Sequence, residues 1–330
     1  MPTRSPDRSS ARRAGWEAWL VRAVAAAGVL VVAWVCVTAW DAVVHGHPAY
    51  AVVLVVTLVG SVAAGWRARR GLRLSTRRRR VAGLVLTVLG LLWVAAVAWL
   101  RPFAAVQPAL DAMRPGDAVT VSETATRYVL APADAAADGA DGTAVFFQPG
   151  ARVDARAYAA VLRPLAEAGH TVVVAKQPLG IAFLAAGAFD DARVALPGPA
   201  RWVVGGHSLG GTVAVLEADD ADGSTGTDAA PAVGLLLYGS YPAGDVSGSL
   251  TAAVESISGS EDGLSTPAKI DASRADLPAG STFTVIEGGV HAQFGDYGPQ
   301  PGDGIPTISD DDARAQISAA SVAFVESVGE

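Results

Sequence analysis

The stretch Trp202-Val203-Val204-Gly205-Gly206-His207-Ser208-Leu209-Gly210-Gly211 decides the reading of this chain. A short apolar run leads into it, and Leu209, Val213 and Leu216 follow at helical spacing. In a strand–turn–helix context, Gly-x-Ser-x-Gly has a mechanical meaning. The serine sits on a sharp turn with its oxygen lifted clear of a sheet, and the glycines avoid collisions that side chains would cause. The N-terminus of the following helix faces the same point and favours an anionic intermediate there. The pentapeptide alone says little. A 330-residue chain with 36 glycines meets it by chance in roughly one case in four, so its weight comes from what flanks it.

Outward from that turn, residues 102–330 alternate between short apolar runs and helical patterns. The runs are Ala144–Phe147, Thr171–Ala175, Trp202–Val204, Val233–Tyr238 and Phe283–Ile286. Such runs, apolar without alternation, suit strands buried on both faces of a parallel sheet. Val119–Val121 and Arg127–Leu130 read as a short antiparallel start, and Asp134–Gly142 as an exposed loop. Asp154 caps a helix with Tyr158, Val161, Leu162 and Leu165 on one face, ended by Gly169. Ser309 and three aspartates open a final helix that buries Ile317, Phe324 and Val328. The fold expected here is an open α/β sheet covered by helices on both sides, with no large lid; Leu179–Pro199 is the candidate for a small one.

The N-terminal third is different in kind. Residues 1–101 hold 14 arginines and 3 acidic residues; residues 102–330 hold 11 basic and 29 acidic ones. Seven of the eight tryptophans precede Arg101. Three apolar stretches, about 19–40, 50–66 and 81–100, are long enough to cross a bilayer, and Trp or Tyr residues mark their ends. A cleaved signal peptide does not explain three spans. Arg4, Arg8, Arg12 and Arg13, and the eight arginines between Arg67 and Arg80, flank the spans on what should be the cytoplasmic side. The loop 41–49 has no arginine. The expected organisation is therefore a membrane domain over 1–103 and a water-compatible domain over 104–330. The N-terminus would be cytoplasmic, and everything after the third span would lie outside the cytoplasmic membrane. An acidic domain repels phosphate, so nucleic acid is excluded as its partner; anionic lipid suits the arginines. Cys36 stands alone, which excludes an intrachain disulfide and a cysteine metal cluster. No Walker loop, dinucleotide fingerprint or zinc pattern is present, so neither cofactor nor metal is expected. The abundance of Ala, Val, Gly and Arg against two lysines suits a GC-rich bacterial genome.

A serine hydroxyl needs a base to take its proton, and a carboxylate to orient that base. Of five histidines, His45 and His47 lie between apolar spans, His207 adjoins the serine and should point away from it, and His170 precedes a strand. His291 remains, in the loop after the last strand. The acid should lie between Ser208 and His291 in chain order. Asp262 is favoured by loop position, with Asp245 and Glu261 as alternatives. For the developing oxyanion, one donor should be the N–H of Leu209. The second should come from Gln148-Pro149-Gly150-Ala151, where Gly150 and Ala151 both carry an N–H and Ala151 is favoured.

Several pieces together resemble the bacterial alpha/beta hydrolase fold-5 family. They are Gln148-Pro-Gly-Ala-Arg-Val-Asp-Ala-Arg-Ala-Tyr158, Lys176-Gln-Pro-Leu179, Arg201–Gly211, Gly259-Ser-Glu-Asp-Gly263 and Glu287-Gly-Gly-Val-His-Ala-Gln-Phe-Gly-Asp-Tyr-Gly-Pro-Gln300. The resemblance extends over about residues 116–330 and leaves the membrane part uncovered. It implies an α/β-hydrolase fold and a Ser208–Asp262–His291 triad. The expected activity is a serine esterase- or lipase-like one on carboxylic esters or thioesters. The same triad would equally serve an acyltransferase, and a non-catalytic binding module is the third reading. Ala151 stands where the family tends to have glycine, and Gly180 where it tends to have asparagine. Substrate, acyl length, oligomeric state and pathway are not legible.

Overall fold

The computed structural model describes residues 8–70, 77–134, 142–221 and 230–329. The loop expected over Asp134–Gly142 lies outside them from 135 to 141, as do Arg4 and Arg73. The chain divides into two compact units. One holds the N-terminal helices up to Arg101; the other begins, apart from His45–His47, at Pro102.

In the first unit α1 spans Arg8–Thr38, α2 Trp40–His45, α3 Ala49–Arg69 and α4 Arg77–Trp99. Within these, Trp16–Thr38, Ala49–Arg69 and Arg80–Trp99 are long and apolar enough to cross a membrane. The first ends two residues before the expected Trp40, because the chain bends at Ala39 and restarts as α2. Arg22, the one charge inside the first apolar stretch, donates from Nη2 to Ala68 O at 2.8 Å. It thereby satisfies a carbonyl that the end of α3 leaves open. Trp93 Nε1–H donates to Thr57 Oγ1 at 2.9 Å.

In the second unit α5 (Ala109–Ala112) precedes the hairpin β1 (Val119–Glu123) and β2 (Arg127–Pro132), followed by β3 (Thr143–Gln148), α6 (Ala159–Glu167) and β4 (Val172–Ala175). Then come α7 (Ala188–Ala195), β5 (Arg201–His207), α8 (Leu209–Asp220), β6 (Ala232–Tyr238), β7 (Ala253–Gly259), α9 (Pro267–Ser273), β8 (Thr282–Ile286) and α10 (Asp310–Gly329). Among the described residues the strands form one eight-stranded sheet in the order β1-β2-β4-β3-β5-β6-β7-β8. β2 runs antiparallel to β1 and β4; every other pairing is parallel.

Alternate residues of the central strands feed two cores, as the period of a strand requires. Val145, Phe147, Leu236 and Tyr238 pack with α6 and α10 residues such as Leu162, Ile317 and Phe324. Phe146, Val204, Leu235 and Leu237 pack with Phe189, Ala214 and Ala218 of α7 and α8. Phe147 lies 5.1 Å from the Tyr158 ring and 5.2 Å from that of Tyr238, in tilted geometry. Such aromatic pairs add about 0.5–1.5 kcal/mol each beyond their buried area.

Two elements differ from the sequence reading. β8 was expected to be buried on both faces, but it is the edge of the sheet and Val285 is exposed. On α8, Leu216 is exposed and Glu217 buried. The face turned to the sheet is set by Gly210, Val213, Ala214, Glu217 and Ala218, a clean helical repeat that leaves Leu216 on the far side.

Candidate active site

The site is positioned by one property of the sheet: β5 pairs with β3 on one side and β6 on the other, all parallel. Their carboxyl ends therefore open at the same edge. Because Phe147 stands opposite Gly205 and Gln148 opposite Gly206, the loop after β3 and the turn after β5 emerge side by side. Strand order reverses at β3, which is flanked by β4 and β5. Open α/β sheets bind ligands outside the carboxyl ends at such a switch point.

At the end of β5 the chain turns at Ser208, with φ 52° and ψ −124°. A side-chain-bearing residue rarely holds this conformation, which costs of the order of 1–3 kcal/mol. It is held there by close backbone packing. A Cβ on Gly206 would overlap the backbone of Gly210 and Gly211, and a Cβ on Gly210 would overlap the carbonyl oxygens of Gln148 and Pro149. Ser208 N–H donates to Tyr238 O at 3.0 Å, and Ser240 Oγ donates to Ser208 O at 2.7 Å. Ser208, Leu209 and Ala151 remain partly exposed among buried neighbours.

Asp262 and His291 come from the loops after β7 and β8, whose ends are in register at Gly259 and Ile286. Both side chains are buried, and His291 Nδ1 lies 2.8 Å from Asp262 Oδ2. The carboxylate accepts, so Nδ1 carries the hydrogen and Nε2 the lone pair. Asp262 Oδ1 accepts from the N–H groups of Leu264 (2.8 Å) and Ser265 (2.7 Å). His291 Nε2 is buried and has no hydrogen-bond partner among the described residues. Of the two alternatives, Asp245 is exposed and accepts from Ser247 within its own turn, and Glu261 is exposed. Asp245 is held below the usual carboxylate range by the Ser247 hydroxyl and N–H. His170 is buried at the other end of the sheet, with Nδ1 3.1 Å from Thr143 O.

The loop after β3 separates the two oxyanion candidates. Gly150 N–H donates to Tyr158 Oη at 2.9 Å. The N–H groups of Ala151 and Leu209 have no such partner among the described residues. Arg152 N–H donates to Gly180 O at 2.7 Å, which ties this loop to the turn after β4. Gly180 has φ 64°, a left-handed conformation that glycine and asparagine tolerate best. The exchange of asparagine for glycine noted in the sequence therefore has a backbone reason.

Four features beyond the expected site matter. Tyr158 O–H donates to His207 Nδ1 at 2.8 Å, and the His207 ring lies 4.5 Å from the His291 ring. Burial first, and His291 second, push His207 well below the ordinary imidazole range, so it is neutral. Under the loop after β3, Gln148 Nε2 donates to Glu217 Oε1 (2.9 Å), and Gln177 Nε2 donates to Gln148 Oε1 (2.9 Å) and Pro149 O (2.9 Å). Burial raises the Glu217 carboxyl to about 8, with Asp190 adding to the rise, against hydrogen bonds from Gln148 and Phe189. Finally, Asp303 accepts backbone N–H groups from both loops that carry Asp262 and His291. For Glu217 the helical repeat held the signal. For Tyr158, His207 and Asp303 nothing short of three dimensions did.

A mostly parallel sheet flanked by helices, with a strained serine between β5 and α8, is the architecture of an α/β hydrolase. A family model described as the alpha/beta hydrolase family matches residues 144–315, more than half of the chain, and the chain belongs to that family. No curated protein matches the sequence. Among solved structures it is similar to a thermostable esterase from Pseudomonas putida ECU1011, at 14% identity over 66% of this chain and 86% of that one, with TM-score 0.45. It is also similar to the thermophilic esterase Est2 of Thermogutta terrifontis, at 15% identity over 65% of this chain and 93% of that one, with TM-score 0.45.

Proposed function

We propose that this protein is a membrane-tethered serine hydrolase that cleaves carboxylic esters or thioesters through an acyl-enzyme. One observation carries the reading: a buried His291–Asp262 pair whose Nε2 lone pair is unclaimed, at the sheet edge where Ser208 is held in a strained turn. Ser208 Oγ attacks the carbonyl carbon as its proton passes to His291 Nε2. Asp262 keeps the ring in the tautomer that can receive it and stabilises the imidazolium. The carbonyl oxygen gains negative charge and is held by the N–H groups of Leu209 and Ala151, which have no other partner to give up. The proton then goes from His291 to the leaving alkoxide or thiolate, and water repeats the sequence to release the acid. Family membership supports hydrolytic chemistry. The three apolar helices support the tether. Serine–histidine contacts often tighten only when substrate is bound.

The test is covalent labelling of the full chain, in detergent, by a fluorophosphonate probe. Wild type should label, and Ser208→Ala should lose both labelling and turnover of short p-nitrophenyl esters by at least about 10³-fold. Equal labelling of Ser208→Ala would overturn the assignment.

A further inference from the structure

The loop after His291 returns to the site at Asp303, where one carboxylate receives four backbone hydrogens. Oδ1 accepts from Gly263 N (3.1 Å), His291 N (3.1 Å) and Gly304 N (2.7 Å), and Oδ2 accepts from Ala292 N (2.7 Å). Gly263 directly follows Asp262; His291 is itself the proposed base, and Ala292 follows it. One side chain thus bridges the turn that carries the acid and the turn that carries the base. The loops also touch through backbone. A Cβ at Gly263 would lie 2.7 Å from Gly302 O and 2.8 Å from Asp303 C, so the Asp303 loop sits flush on the Asp262 turn. Asp303 is only partly buried, whereas Gly239, just after β6, packs directly on the pair: a Cβ there would lie 3.1 Å from Asp262 Oδ2 and 3.2 Å from His291 Nδ1.

Charge-assisted hydrogen bonds that a carboxylate accepts from N–H groups are the strong class. Three of them come from groups within one residue of the proposed acid and base, Gly263, His291 and Ala292, and the fourth from Gly304 in the loop itself. The backbone bonds between the two loops, Glu261 N to Gly289 O at 2.9 Å and Ser260 N to Ile286 O at 3.1 Å, lie on the strand side of the turns. They fix where the loops begin, and the bonds to Asp303 lie farther along both turns. We propose that Asp303 is a positioning residue, whose carboxylate locks the Asp262 and His291 turns at the separation that the Nδ1–Oδ2 bond requires. It touches no reacting atom.

The inference rests on the reading of Asp262 and His291 as acid and base, and two readouts keep the two ideas apart. In the full chain in detergent, fluorophosphonate labelling is resolved into its binding constant and its maximal rate for wild type, Asp303→Asn and Asp303→Ala. The downfield proton resonance of the His291 Nδ1–H···Asp262 bond is recorded for the same three proteins, with Asp262→Asn identifying the signal. A displaced catalytic group of about 1 Å lowers rate by about 100-fold. Asp303→Ala should therefore lose about 100-fold in maximal rate with the binding constant unchanged, and its downfield signal should broaden or vanish. Asp303→Asn keeps Oδ1 for three of the four N–H groups and should recover most of that loss. If wild type labels, but both variants keep its rate and its downfield signal, Asp303 is only a loop staple and the proposal fails. A loss that merely tracks the unfolded fraction in calorimetry overturns it too. If wild type does not label, the serine-hydrolase reading fails, while loss of the downfield signal in Asp303→Ala still supports the positioning role and its retention still refutes it.

Discussion

Tyr158 shows how much one hydroxyl can settle. It accepts from Gly150 N–H and donates to His207 Nδ1, so it occupies the N–H of one proposed oxyanion donor and fixes the tautomer of a ring packed at a tilt against the proposed base. In Tyr158→Phe both buried partners lose their bond, at about 1–3 kcal/mol each. The variant should melt several degrees below wild type and should also lose catalytic rate, as Gly150 is freed to move; an unchanged melting temperature in near-UV circular dichroism would show that the two groups find other partners. Ser208 and His291 stand out in the sequence as candidates, since the motif and a count of histidines lead to them. Asp262 was a choice among three carboxylates; of the three it is the buried one, in contact with His291. His207 was expected to point away from Ser208; the alternation along β5 sends it into the aromatic layer of Tyr158, Phe294 and Tyr297, against the His291 ring.

Among elements, α8 carries the proposed nucleophile at its start and a buried acid two turns on. Glu217 joins that helix through Gln148 to the loop that supplies the proposed oxyanion donor. Its carboxyl has a folded value of about 8 against an ordinary 4.5. Between those two values the folded chain holds a proton that the unfolded chain has released. Stability therefore falls as pH rises through this window, by up to about 1.4 kcal/mol per unit, and the loss is complete above it. Wild type should lose melting temperature from pH 5 to pH 8 more steeply than Glu217→Gln, whose amide does not titrate; parallel curves would show that Glu217 is ionised throughout. Strands were easy to find because the central ones are apolar without a break. The α8 face was misread because Leu216 was weighed by hydropathy, whereas Gly210 and Ala214 set the buried side by their small size. β8 was misread because an edge strand packed on one face can be as apolar as a central one.

For the molecule as a whole, the contrast between a basic, apolar N-terminal part and an acidic C-terminal part was plain from composition. Its geometry adds one fact. The Arg22–Ala68 bond sets the start of the first apolar span, Trp16–Thr38, beside the end of α3, which carries Arg67 and Arg69. That end should face the cytoplasm. With three crossings, a phosphatase reporter fused after Glu330 should be active only outside the cytoplasm; activity inside would reverse the orientation. What composition could not supply was the order of strands. The adjacency of β3 and β5, which sets one proposed oxyanion donor beside the other, depends on pairings between residues some sixty positions apart.

The strained turn at Ser208 also gives the family a direction of drift. Glycine at that position would hold the same backbone at little cost, releasing on the order of 1–3 kcal/mol. Stability and chemistry therefore pull against each other at this single site. A lineage relieved of its reaction gains by losing the serine, and descendants of this fold that keep the sheet but have abandoned catalysis should carry glycine in the elbow more often than alanine, a bias that a survey of family sequences would reveal or refute.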